Sequence, residues 1–185
     1  MDLYNYFIEI SGTPELAEKL VSCAETTSVS SGTTIQEAGT RKNYICLVLS
    51  GLVRGFYIDE NGNDITKCFS SEGDWCCSYN YLSNEPCPFF IEAEADSILA
   101  KFDIRDLNEI KKEFPDFEEK TGNLLAKAMI ASERRIFSFT AMEARDRYLK
   151  ILVEEPELIR LAKQEHIASY LGITPSSLSR IKRNL

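Results

Sequence analysis

The stretch that most constrains this chain is "EHIASYLGITPSSLSRIKRNL", residues 165–185. Ile167, Ala168 and Leu171 give one apolar face to a helix over about residues 164–171. Gly172 follows where a tight interhelical turn needs positive φ, which glycine adopts without steric cost. Ile173 can plug the angle, Thr174 is a good N-cap, and Pro175 is a good first helical residue. Leu178 and Ile181 then face back onto the first helix. The spacing predicts a helix-turn-helix, and the second helix would be about 16 Å long at 1.5 Å per residue.

The outward face of that second helix has a graded chemistry. Thr174, Ser176, Ser177 and Ser179 present small hydroxyls near its start, and Arg180, Lys182 and Arg183 present cations further along. Short side chains at the leading turn let a helix approach base edges, and free N–H groups there suit phosphate oxygens. Arg180 is long enough to form a bidentate pair with a guanine edge. These seven residues are the candidate DNA contacts. The alternative is a helical hairpin with a solvated basic face.

A formal charge of −8 argues against DNA only if it is spread evenly, and it is not. From Arg134 onward ten Lys/Arg face six acids, whereas the first 133 residues hold eleven bases and twenty-three acids. Affinity for DNA depends on local phosphate contacts, so an acidic front part does not forbid a DNA-reading tail.

Ahead of the tail the texture changes twice. Thr13-Pro14-Glu15 reads as a helix start, with Leu16, Leu20 and Val21 buried over a helix to about Ala24. From about residue 26 to 102 run short β-branched or aromatic segments: "TTIQEAG", "NYICLVLSG", "LVRGFYID", "DITKCFS" and "PFFIEAEA". Asn61-Gly62 marks a hairpin, and the regular spacing predicts an antiparallel sandwich or roll. Then "IRDLNEIKKEF" opens a helical region that continues from about residue 116 to 139. Leu125, Met129, Ser132, Ile136 and Phe139 recur at coiled-coil steps, flanked by Leu124, Ala128 and Ala131. This two-heptad seam predicts pairing with a second chain; packing on the chain's own sheet is the alternative. A further helix over 141–153 would carry Met142, Tyr148, Leu149 and Leu152 inward, and "EEPE" breaks it at Pro156.

The expected fold class is α+β. Its parts are an antiparallel β-roll or jelly roll with flanking helices (1–114), a long dimerisation helix (115–140) and a helix-turn-helix unit (141–185). With no basic start followed by a long apolar run, no secretory signal or membrane span is expected, and the location is expected to be cytoplasmic. The six cysteines, Cys23, Cys46, Cys68, Cys76, Cys77 and Cys87, include no C-x-x-C pair, and the only histidine is His166. A zinc site of the usual spacing is not expected; buried small side chains are, with redox sensing at Cys76-Cys77 as the alternative. No Ser/His/Asp set or glycine-rich phosphate loop points to an enzyme.

In this order the parts resemble the Crp/Fnr family of bacterial transcription regulators. The anchors are "LVLSGLVRGFYIDENGNDITKCFSSEGDW", with its Gly-x-Val-Arg and Gly-Asp landmarks, and the terminal helix pair. The resemblance implies a homodimer, a sensing roll, a palindromic operator and RNA polymerase as a further candidate partner. It also implies a wing after the recognition helix. The chain stops at Leu185, so the reading is of a wingless reader with fewer phosphate contacts and a shallower salt dependence.

Cyclic-nucleotide binders of the family place a ribose-binding Glu after Gly-Asp-aromatic and a phosphate-binding Arg in the next segment. Here "GDWCCSYNYL" puts Ser78 at the first position, and "EPCPFFIEA" puts Cys87 and Pro88 at the second. A buried cyclic phosphate without its Arg loses its main charge-assisted partner, so cyclic AMP is not expected as ligand. Trp75, Cys76, Cys77, Ser78, Tyr79, Cys87, Pro88 and Phe89 are the candidate pocket for an uncharged or apolar effector or a thiol sensor, the alternative being a filled core. Members with an iron–sulfur cluster use several N-terminal cysteines, and only Cys23 lies there. The leading function is a dimeric, sequence-specific DNA-binding regulator. The alternative is a ligand- or redox-sensing module acting through protein partners.

Overall fold

The computed structural model describes the backbone of residues 1–185 and all side chains apart from those of Glu118 and Lys120. Two helices, α1 (Leu3–Ser11) and α2 (Pro14–Ser22), precede the strands. Pro14 takes the first helical position of α2, and Thr13 stands at the N-cap without making a side-chain cap hydrogen bond. The sequence reading missed α1, whose N-cap is Asp2 and whose terminal Gly12 is left-handed.

Eight strands follow: β1 (Ala24–Val29), β2 (Thr34–Gln36), β3 (Tyr44–Ser50), β4 (Val53–Ile58), β5 (Asp64–Ser70), β6 (Trp75–Cys76), β7 (Phe90–Ala93) and β8 (Ser97–Asp103). They form two four-stranded sheets, ordered β1-β8-β3-β6 and β2-β7-β4-β5. The pairings are antiparallel throughout, as the roll reading requires. A short helix, α3 (Tyr79–Ser83), lies between β6 and β7. The Asn61-Gly62 turn closes the β4–β5 hairpin, with Asp59 Oδ1 accepting from the Asn61 and Asn63 amides at 2.9 and 2.8 Å.

Strand β3 is buried on both faces, which explains its unbroken apolar run. Ile45, Leu47 and Leu49 pack with Phe7, Leu16, Leu20, Leu107 and Ile110 of the flanking helices. Cys46 and Val48 point the other way, into a core between the sheets with Val53, Phe89, Ile91 and Leu99.

After α4 (Ile104–Glu113) comes the long α5 (Phe117–Ala141). Then come α6 (Ala144–Glu154), α7 (Pro156–Leu161), α8 (Gln164–Tyr170) and α9 (Pro175–Arg183). Pro156 does end α6, but it also starts α7 as its first residue, a use of proline the reading of "EEPE" overlooked. A third core joins the two ends of the chain. Leu52 of the roll is fully buried among Tyr148, Ile151, Leu158, Ile167, Ala168, Leu171 and Leu178, with Phe69 and Ala95 packed alongside. Among the described residues, no helix is long and apolar enough to cross a membrane.

Candidate nucleic-acid interface and its docking on the roll

The turn between α8 and α9 is built as the spacing predicted. Gly172 has φ +68°, and a Cβ there would lie 2.7 Å from Phe139 Cε1, so both conformation and space require glycine. The Ile173 amide donates to the Ala168 carbonyl at 3.0 Å. Thr174 caps α9, its Oγ1 accepting from the Ser177 amide at 3.2 Å and lying 2.9 Å from the Ser176 hydroxyl. Leu178 is buried and Ile181 packs against the same core.

The other face of α9 is open. Ser176, Ser179, Arg180, Lys182 and Arg183 are exposed, Thr174 is exposed at the leading end, and Ser177 is half-buried. Lys182 Nζ donates to Gln164 Oε1 at 2.8 Å, tying the two helices together, and Arg180 Nη2 lies 3.4 Å from Ser177 Oγ. The structure therefore brings all seven expected residues onto one helix end and face, with Thr174 already engaged as a cap.

Two arginines counted toward the basic tail serve the fold instead. Arg147 donates to the Leu171 carbonyl at 2.8 and 3.2 Å and to the Met142 carbonyl at 2.7 Å, joining the ends of α5 and α8. Arg135 donates to the Tyr170 carbonyl at 3.1 Å and lies 3.9 Å from the Tyr170 ring centre. Phe139 sits beneath both guanidinium groups, at 4.8 and 4.9 Å. The seam residues Leu125, Met129, Ser132 and Ile136 are exposed along α5, and Met129 reaches 68% exposure. Ile130 and Phe137 are exposed on the same helix outside the heptad pattern.

A polar contact that the sequence did not disclose fixes α8 to the roll. Glu94, whose side chain is 0% exposed, accepts from the Lys163 amide at 2.6 Å and lies 2.7 Å from His166 Nδ1. Behind it is Arg54, also buried, which pairs with Glu92 at 2.8 Å and Asp64 at 2.5 Å, donates to Thr66 Oγ1 at 3.0 Å, and approaches Glu94 at 3.6 Å. Burial acts to raise the Glu94 carboxyl pKa. The His166 hydrogen bond, the Lys163 amide and the nearby cations outweigh it and hold the value below the ordinary 4.5. Glu92, Glu94 and His166 stand at ligand distances from one another, but Arg54 and the Lys163 amide occupy the carboxylates, so the group acts as an ionic tie between roll and helix. Ser169 adds to it: its hydroxyl accepts from the Thr66 amide at 2.8 Å. The only sequence signal was Arg54 in the Gly-x-Val-Arg run; nothing marked Glu94.

The expected effector pocket divides. Cys76, Cys77, Cys87 and Phe89 are buried together in the core between the sheets, with Tyr79 packed against them. Trp75 does not join them. Strand neighbours point to opposite faces, so Trp75 turns to the helices, packs on Phe102 at 5.3 Å and donates to the Tyr6 hydroxyl at 3.0 Å. Pro88 is exposed, and Ser78 is the half-buried N-cap residue of α3.

The architecture is thus a two-sheet roll joined through one long helix to a docked helix-turn-helix. Residues 26–114 match the cyclic nucleotide-binding domain family. The whole chain has a fold similar to that of solved Crp/Fnr-family structures. The fumarate and nitrate reduction regulatory protein of Salmonella typhi is 20% identical over 164 residues, covering 83% of this chain; the chain spans 65% of that relative's length. FixK2 from Bradyrhizobium japonicum superposes with a TM-score of 0.76 at 20% identity, over 88% of this chain and 84% of that one. The c-di-GMP responsive global regulator CLP of Xanthomonas campestris gives 0.73 at 14% identity, over 93% and 91%. A putative Crp/Fnr transcriptional regulator from Eubacterium rectale gives 0.73 at 22%, over 97% and 87%.

Proposed function

We propose that this protein is a dimeric, sequence-specific DNA-binding regulator of transcription, with residues 1–114 as sensor, 115–140 as dimer helix and 141–185 as reader. The observation that carries the reading is α9: Leu178 anchors one face in the core while Ser176, Ser179, Arg180, Lys182 and Arg183 are exposed on the other. A groove-reading helix needs that division. The exposed apolar residues of α5 support pairing with a second copy, which would set two recognition helices about 34 Å apart on a palindromic site. Six free thiols fit a reducing cytoplasm.

The effector on this reading is not cyclic AMP. In sequence Ser78 falls where the family's ribose-binding Glu is expected, and Cys87, which is fully buried, and Pro88 fall near its phosphate-binding Arg-Ser pair. Arg54, the buried guanidinium nearest in sequence, is committed to Asp64 and Glu92. The test is selection from randomised duplex DNA followed by gel shift at several salt concentrations. An enriched palindrome bound by the protein supports the reading; no sequence retained at any salt sinks it. Titration calorimetry with cyclic AMP checks the ligand statement, and micromolar binding would overturn it.

A further inference from the structure

Three thiols converge inside the roll. Cys46 on β3 and Cys76 on β6 are direct partners in the antiparallel register, so both side chains enter the core between the sheets. Cys77 follows with φ +57°, in the left-handed region that a non-glycine residue rarely adopts. That turn breaks strand alternation and keeps a second consecutive side chain in the same core. The three sulfurs lie within 4.8 Å of one another. A trigonal ion with metal–sulfur bonds near 2.3 Å needs sulfurs about 4.0 Å apart, so closure takes less than an ångström of side-chain adjustment. Cys87 is buried in the same core but outside this group.

We propose that Cys46, Cys76 and Cys77 form a three-coordinate thiolate site for a soft, thiophilic metal or metalloid ion. The surroundings select that class. Ile35, Val48, Val53 and Leu99 share the core with the sulfurs and offer no hard oxygen donors from their side chains. A divalent ion bound by the three thiols displaces three protons and leaves one net negative charge. Arsenite, As(OH)₃, would form three As–S bonds and release three waters, arsenic staying trivalent and the complex neutral. Burial favours the neutral case.

The test uses the reduced, chelator-treated full-length protein, titrated separately with cadmium(II) and arsenite. Expected for at least one probe is sulfur-to-ion charge-transfer absorption saturating at one equivalent. It should be lost in Cys46→Ser, Cys76→Ser and Cys77→Ser, and kept in Cys23→Ser and Cys87→Ser. X-ray absorption on the wild-type complex counts the sulfurs directly, so a serine variant that fails to fold does not decide the outcome. Three sulfurs support the site. Two or four sulfurs, no saturable binding of either probe, or a disulfide within the trio under mild oxidation together with failure to bind when reduced would overturn it.

Discussion

Glu94 Oε2 lies 2.7 Å from Nδ1 of His166, joining the residue that follows β7 to α8 through a carboxylate with no exposed surface. The chain's one histidine is therefore part of the tie between the roll and the helix-turn-helix.

Replacing Glu94 with Gln should destabilise the folded protein by about 1–3 kcal/mol, the usual range for a buried charged hydrogen bond. The pH dependence has a fixed sign. A carboxyl held below its ordinary 4.5 contributes stability that is complete above that value and is lost as pH falls through the lowered one. Urea unfolding across acid pH should therefore show a steeper loss in the wild type than in E94Q; parallel curves would exclude the role.

Arg54→Leu should cost about 3–5 kcal/mol, since it leaves Glu94, Glu92 and Asp64 clustered without their cation. Chemical denaturation measures it, and a loss below about 1 kcal/mol would contradict the ion-pair account.

Gly172→Ala forces an alanine into φ +68° and its Cβ against Phe139. A destabilisation of about 1–3 kcal/mol is expected, with weaker DNA binding because the angle between α8 and α9 opens. Adding Phe139→Ala should recover the part due to the clash but not the part due to φ. Thermal unfolding of both variants separates the two.

Arg147→Ala and Arg180→Ala should differ in kind. Arg147 holds carbonyls at two helix ends, so its loss should lower stability by about 1.5–3 kcal/mol. Arg180 is exposed, so stability should change by less than about 0.5 kcal/mol. Its loss should instead relax one base position per half-site by about 1–3 kcal/mol. Denaturation and randomised-site selection read the two effects independently.

Met129→Lys with Ile136→Glu should give a folded monomer, because both side chains are exposed within one chain and bear on nothing else needed for its core. Sedimentation velocity should show halved mass with unchanged circular dichroism. A wild type that sediments as a monomer would refute pairing through α5.

The helix pair was legible in the sequence because its requirements are local. Gly172 is needed for one backbone angle, Thr174 and Pro175 for one helix start, and Leu178 for one face, and each acts within a few residues. The roll was legible for a similar reason: strand texture and the Asn61-Gly62 turn are short-range signals. The helices α1, α3 and α7 were missed; two of them are only five or six residues long and depend on packing more than on pattern. Trp75 was misassigned because which strand face is inner depends on register with β3, which no single strand carries.

By itself, then, the sequence determined the order of roll, long helix and helix pair, the hinge of that pair and the identity of its exposed face. Only the tertiary structure decided which charges are spent holding the fold together. It set Glu94 against His166 across 72 positions, committed Arg135 and Arg147 to carbonyls of α8 and its C-cap, and gathered three cysteines from two strands and the turn after β6. The physical reason is range. Backbone preferences act between neighbours, whereas ion pairs and sulfur clusters form between residues that only chain packing brings together.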